Sequence, residues 1–113
     1  MEFNVEKKAN FVKIAVGGRL VASCSDEFKE AAAHEAEACA NVLCDLSQMS
    51  HIDSSGLGAL VYLLQRCKEN GGVCRLACLQ AHPRIVFDIT KVFRVFEIFD
   101  TVEEAEKAFG GAT

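Results

Sequence analysis

The sequence predicts an α/β fold, with a mixed, mostly parallel sheet, an N-terminal β-hairpin and about four helices. Three observations predict it. The length of 113 residues fits one domain spanning 1–113. Hydrophobic residues make up 50% and charged residues 25%, with a single proline, the balance of a chain that folds around a core. Short β-rich apolar runs alternate with longer stretches of helical period, the pattern of a parallel sheet with right-handed crossovers.

Residues 11–16, Phe-Val-Lys-Ile-Ala-Val, form a β-rich run that ends at Gly17-Gly18, a turn or bulge signal. Residues 3–8 can pair with it as an edge strand, which gives the hairpin. Ser25 or Asp26 can cap a helix running to about Cys39, with Phe28, Ala32, Ala36 and Cys39 inward and a Glu-rich outer face. Residues 42–46, Val-Leu-Cys-Asp-Leu, read as a short buried strand. A turn from His51 to Gly58 then opens a helix in which Leu57, Leu60, Val61 and Leu64 follow helical spacing. Asn70-Gly71-Gly72 ends it. Residues 73–79 make a second buried strand, and Pro83 suits the first turn of the next helix. Ile85, Val86, Ile89, Val92 and Phe93 are the expected buried stripe of that helix. Residues 96–99 read as a last strand. Thr101-Val102-Glu103-Glu104 is a capping box for a final helix that ends before Gly110-Gly111, with Val102, Ala105 and Phe109 inward. The expected order is β-β-α-β-α-β-α-β-α.

Charge and composition narrow the function. Lys+Arg is 12 against Asp+Glu 16, a net charge of −4, which leaves no electrostatic footprint for nucleic acid or an anionic membrane. No apolar run approaches the ~18 residues of a membrane span, and the N-terminus has no basic or apolar leader, so the expectation is a cytoplasmic protein without membrane insertion. The six cysteines contain no Cys-x-x-Cys pair, and most lie beside Ala, Val or Leu. They are expected as reduced thiols that pack like small hydrophobes, with no metal and no cofactor.

One turn could carry chemistry, Asp53-Ser54-Ser55-Gly56-Leu57-Gly58. It joins the end of a buried strand to a helix start, where α/β sheets present their sites. A helix N-terminus has unpaired amides and a positive partial charge, so a serine there can carry a phosphate of about −1.5 to −2 charges. Gly56 and Gly58 leave the start bare enough for another protein surface to come close. The plainer reading makes Asp53 or Ser54 an N-cap and the glycines packing residues, and spacing alone favours it. Enzyme readings find little. Ser55 has no nucleophile elbow, and Gly56-Leu57-Gly58 is neither a dinucleotide loop nor a P-loop. His34 is expected in solvent, His51 at the start of the turn and His82 as a cap for its helix. The protein is expected not to be an enzyme.

The run from Asp45 through Asp53-Ser54-Ser55-Gly56-Leu57-Gly58 resembles the core of the STAS domain, and more narrowly the bacterial anti-sigma-factor antagonists of sporulation and stress responses. The likeness continues through Gly71-Gly72, the helix at 83–93 and the tail from Phe96 to Ala105. It implies a STAS-like fold for the chain. It also implies a partner, an anti-sigma factor with a histidine-kinase-like ATPase domain that is bound by the unphosphorylated protein, so that the sigma factor is freed. That partner would phosphorylate the second serine of the motif, Ser55, ending the complex, and a serine phosphatase would reset it. Asp53, Ser54, Ser55, Gly56, Leu57 and Gly58 would then form the partner-binding surface.

One departure stands out. Family members often place an acid after the Gly-x-Leu that closes the second strand, and here Gly18-Arg19-Leu20 is followed by Val21. Arg19 is a candidate partner contact, although a solvated arginine is the simpler reading. The departure leaves an alternative, a STAS scaffold or an accessory subunit of a signalling complex or lipid-transport ATPase without a phospho-switch. The apolar residues Val92, Phe93, Val95 and Phe96 exceed what a short helix end must bury, so part of them can form a further surface. The expected state is a monomer or weak dimer.

Overall fold

The structure is a computed structural model that describes residues 1–109. Strand β1 (Glu2–Lys7) pairs antiparallel with β2 (Val12–Leu20), placing Phe3 opposite Val16 and Val5 opposite Ile14. Helix α1 (Ala22–Ala38) follows, then β3 (Val42–Asp45), β4 (Met49–Ile52) and α2 (Ser54–Glu69). The chain continues through β5 (Cys74–Ala77), α3 (Ala81–Thr90), a 3-10 turn at Val92–Arg94, β6 (Glu97–Phe99) and α4 (Val102–Lys107). The sheet order is β1-β2-β3-β5-β6, with every pair after the hairpin parallel, and β4 pairs with the far end of β2 off this path. The expected mixed, mostly parallel sheet with four helices is what forms.

The sequence does not predict strand β4, and β2 runs longer than its pattern predicts. Strand β2 does not stop at Gly17-Gly18; it passes through them with a register shift between Gly18 and Arg19. Gly18 has φ +77, a left-handed conformation that glycine adopts without steric penalty. The shift turns the far end of β2 away from β3 and toward β4, whose Met49 and Ile52 are buried. Helix α1 begins at Ala22, three residues before the expected Ser25 cap. Its N-cap is Val21, whose side chain cannot accept a hydrogen bond, and a distant carboxylate supplies the acceptor instead.

Two apolar clusters hold the layers. The larger lies between the sheet and α1 and α2, where Ile14, Val16, Leu20, Phe28, Ala32, Ala36, Met49, Leu60 and Leu63 are buried. The expected inner faces of α1 and α2 are therefore present. The smaller lies on the opposite sheet face, where Phe11, Leu43 and Ala77 meet Ala105 of α4. Phe109 stacks on Phe11 at 4.9 Å, and Arg75 lies 4.5 Å over the Phe109 ring. Thr101 caps α4, its hydroxyl accepting from the Glu104 amide at 3.1 Å, while Glu104 binds the hydroxyl and not the Thr101 backbone. Gly110 and Gly111, the expected stop, lie outside the described residues.

The expected burial of α3 holds only in part: Val86 and Val92 pack against the core, and Ile85, Ile89 and Phe93 do not. Pro83 and Phe87 are its buried residues, while Ile85, Ile89 and Phe93 face solvent and Val86 and Val92 are half-buried. The helix packs against β4 on one side, so its core face is set by Phe87, which the periodic pattern did not select. All six cysteines are free thiols; Cys44, Cys67 and Cys74 are buried, and Cys24, Cys39 and Cys78 are half-buried. Contact with the Cys44 and Cys67 thiols, and burial, push the Cys74 thiol well above its ordinary range, which disfavours a reactive thiolate.

Candidate functional site

Strand β4 ends at Ile52, and Asp53 turns the chain into α2. Between the two readings of its cap, the structure selects Asp53: its Oδ1 accepts from the Gly56 amide at 2.9 Å. Its other oxygen does more than the sequence indicated. Oδ2 accepts from the Ala22 amide at 3.0 Å, so the same carboxylate also caps α1, 31 residues away in sequence. The Gly56 amide, with smaller help from other backbone amides, holds the Asp53 carboxyl below the usual aspartate range. Asp53 is thus a structural clamp on two helix starts.

With the cap filled by Asp53, Ser54 and Ser55 are both exposed in the first turn of α2. The first turn contains no acidic residue, and the Asp53 carboxylate supplies negative charge at the cap. A phosphate on either serine would lie in the field of a sixteen-residue helix.

The two glycines of the motif have separate reasons. A Cβ on Gly56 would sit 2.1 Å from the Leu20 carbonyl oxygen and 2.8 Å from Ile52, so only glycine lets α2 start against the end of β2. Gly56 is buried and, with buried Leu57, belongs to the core and not to an open surface. The expectation that Gly56 bares the helix start is corrected: its role is internal close packing. Gly58 is different. It is exposed, and an added Cβ would meet nothing within 4 Å. Neither packing nor backbone geometry asks for glycine there, although glycine inside a helix costs about 1 kcal/mol against alanine. Ser55, Gly58 and Tyr62 are exposed at i, i+3 and i+7 along one side of α2. Tyr62 was not singled out by sequence; the ammonium of Lys29 on α1 lies 5.0 Å from its ring centroid.

His34 is exposed on α1, as expected, and the departure lies at His82. His82 is the second residue of α3, behind Gln80 at the N-cap, and does not cap the helix. Its ring instead lies 4.6 Å from that of His51 in β4, tilted by 56°. His51 Nδ1 is 2.9 Å from the Ser50 hydroxyl and its backbone pairs with Arg19. The His51–His82 contact therefore joins the start of α3 to the strand that delivers the serine turn. Arg19 is exposed and Val21 half-buried at the α1 start, on the rim of this surface. Among the described residues, no cluster of three or more His, Cys, Asp or Glu side chains is arranged to hold a metal ion. No helix among them is long and apolar enough to cross a membrane.

Comparisons with known proteins identify relatives of the fold. The STAS domain family profile matches residues 2–105. A Thermotoga neapolitana protein, provisionally named an anti-sigma factor antagonist, is 34% identical over 64 residues, which span 57% of each chain. The chain thus covers little more than half the length of that relative. A crystal structure from Thermotoga maritima, with the same provisional name, superposes with TM-score 0.89 at 23% identity, covering 96% of this chain and 95% of that one. The Bacillus anti-sigma factor antagonist SpoIIAA, solved unphosphorylated and phosphorylated, superposes with TM-scores 0.74 and 0.73 at 20% and 21% identity. Those alignments cover 98% and 95% of this chain, and 100% and 98% of SpoIIAA.

Proposed function

The chain belongs to the STAS domain family, and from that membership we propose that it acts as an anti-sigma-factor antagonist switched at Ser55. In this reading the unphosphorylated protein binds an anti-sigma factor with a histidine-kinase-like ATPase domain and thereby releases a sigma factor. Transfer of a phosphoryl group to the Ser55 hydroxyl ends the complex, and a serine phosphatase restores it. The protein is the substrate of that transfer and not its catalyst.

The observation that carries the reading is the division of labour at the start of α2. Asp53 takes the cap and Gly56 takes the packing, so exposed Ser55 is left without a structural duty. A dianion at the centre of a closely packed interface must lose its water or face the partner's acids, and either weakens binding by a few kcal/mol. In the free protein the helix start offsets part of that charge. The switch then works through complex stability and leaves the fold unchanged. Bare Gly58, next along the same helix side, lets a partner backbone approach the serine closely.

The test is affinity capture from the source organism, wild type beside Ser55→Asp, with thermal unfolding of both. The expected result is that wild type retains a histidine-kinase-like ATPase, Ser55→Asp loses it by at least tenfold, and the two unfold alike. Tenfold corresponds to about 1.4 kcal/mol. If both forms retain the same transporter or scaffold components, the turn is only a helix start and the protein is an assembly subunit.

A further inference from the structure

The outer face of α3 and the turn after it carry large apolar side chains that the rest of the fold leaves uncovered. Ile85 is 56% exposed, Ile89 75%, Phe93 42% and Val95 53%. Single exposed hydrophobics are ordinary on any surface, whereas a contiguous group of them marks a contact site. Ile85 and Ile89 lie one helical turn apart, and Phe93 and Val95 follow directly in the chain. Arg84 and Asp88, also exposed and one turn apart, form one flank of the stripe with opposite charges. The opposite side of α3 is buried through Pro83 and Phe87, while His82, at the edge of the stripe, meets the ring of His51.

We propose that this face binds the same face of a second copy of the chain, forming a two-fold dimer with α3 antiparallel to its mate. The charge pattern identifies the occupant. A two-fold axis in the interface plane brings the same flank of each helix together with its direction reversed. Arg84 of each copy then meets Asp88 of the other, twice, around Ile85 and Ile89. A flank of one sign would repel its own copy; this one attracts it. The four apolar side chains offer on the order of 400 Å² per copy, about half of a standard interface side. The pairing is therefore weak and concentration-dependent, and it closes at two copies. It does not depend on the state of Ser55, which lies on a different helix.

Sedimentation equilibrium of the full chain tests this over roughly 1 µM to 1 mM, the range from firm to weak association. The apparent mass should rise from 12.3 kDa toward twice that value as concentration increases. Ile89→Asp should stay at the monomer mass throughout while keeping the wild-type circular dichroism, because the core side of α3 is untouched. Arg84→Asp and Asp88→Arg should each weaken association several-fold, and the double exchange should restore it. Ser55→Asp should associate as wild type does. A wild-type chain that stays monomeric at every concentration overturns the proposal and assigns the stripe to a different protein. Undiminished association of Ile89→Asp, or a double exchange that fails to rescue, overturns it equally.

Discussion

At Asp53, one carboxylate satisfies backbone donors at the starts of two helices. Asp53→Ala should therefore lose more than an ordinary cap, about 1–2 kcal/mol, read from urea unfolding. Its pH dependence follows from the depressed carboxyl. A folded-state pKa below the unfolded value of about 3.9 contributes stability above that pH, and the contribution is lost as pH falls through the folded value. The difference between wild type and Asp53→Ala should be constant near neutrality and shrink below about pH 4. The glycines make a paired prediction. Gly56→Ala forces a Cβ into the Leu20 carbonyl and should be strongly destabilising. Gly58→Ala meets open space and should stabilise the fold by about 0.5–1 kcal/mol. If Gly58 serves close approach of a partner, the same substitution weakens capture of that partner while raising the melting temperature.

Among the elements, α3 and β4 show where sequence patterns carry information and where they do not. Helix α2 was legible because Leu57, Leu60 and Leu64 repeat at helical spacing and Asn70-Gly71 supplies a stop, with Gly71 at φ +85. Helix α3 was legible in extent but not in orientation. Its apolar residues cover more of the helix than one core needs, so periodicity could not separate buried Phe87 from exposed Ile89. Strand β4 was invisible because four residues with two buried ends resemble a loop, and its partner is the bulged end of β2. The serine turn was legible as a motif, but the second helix held by Asp53 was not, since nothing local links positions 22 and 53. Helix α3 also ends on Lys91 at φ +60, a left-handed conformation that strains a residue with a side chain. Lys91→Gly should raise stability by about 0.5–1 kcal/mol in denaturant unfolding, the relief being partly offset by a more flexible unfolded chain.

Across the whole molecule, the two sheet faces are unequally secured. The face under α1 and α2 carries the larger cluster, and the opposite face depends on α4, a helix of six residues. So short a helix is not stable alone and rests on its packing, with Ala105 against Phe11, Leu43 and Ala77 and the Phe11–Phe109 stack just beyond its end. Phe109→Ala should cost roughly 1–2 kcal/mol and speed hydrogen exchange in 102–107 while α2 amides stay protected. The same asymmetry separates duties. The serine turn and the α3 stripe both rest on the strongly packed β2–β4 side, so loosening α4 should leave partner capture and self-association unchanged.

The shared carboxylate also makes the molecule its own reporter. The Ala22 amide hydrogen-bonds the group that caps the serine helix, so its NMR chemical shift reads the electrostatic state of a turn far along the sequence. Any event that draws Asp53 toward or away from the first turn of α2 displaces that resonance without touching α1 directly. Titrating a labelled sample and following this one cross-peak would record the chemistry of the turn from a neighbouring helix, with no probe attached to the serine itself.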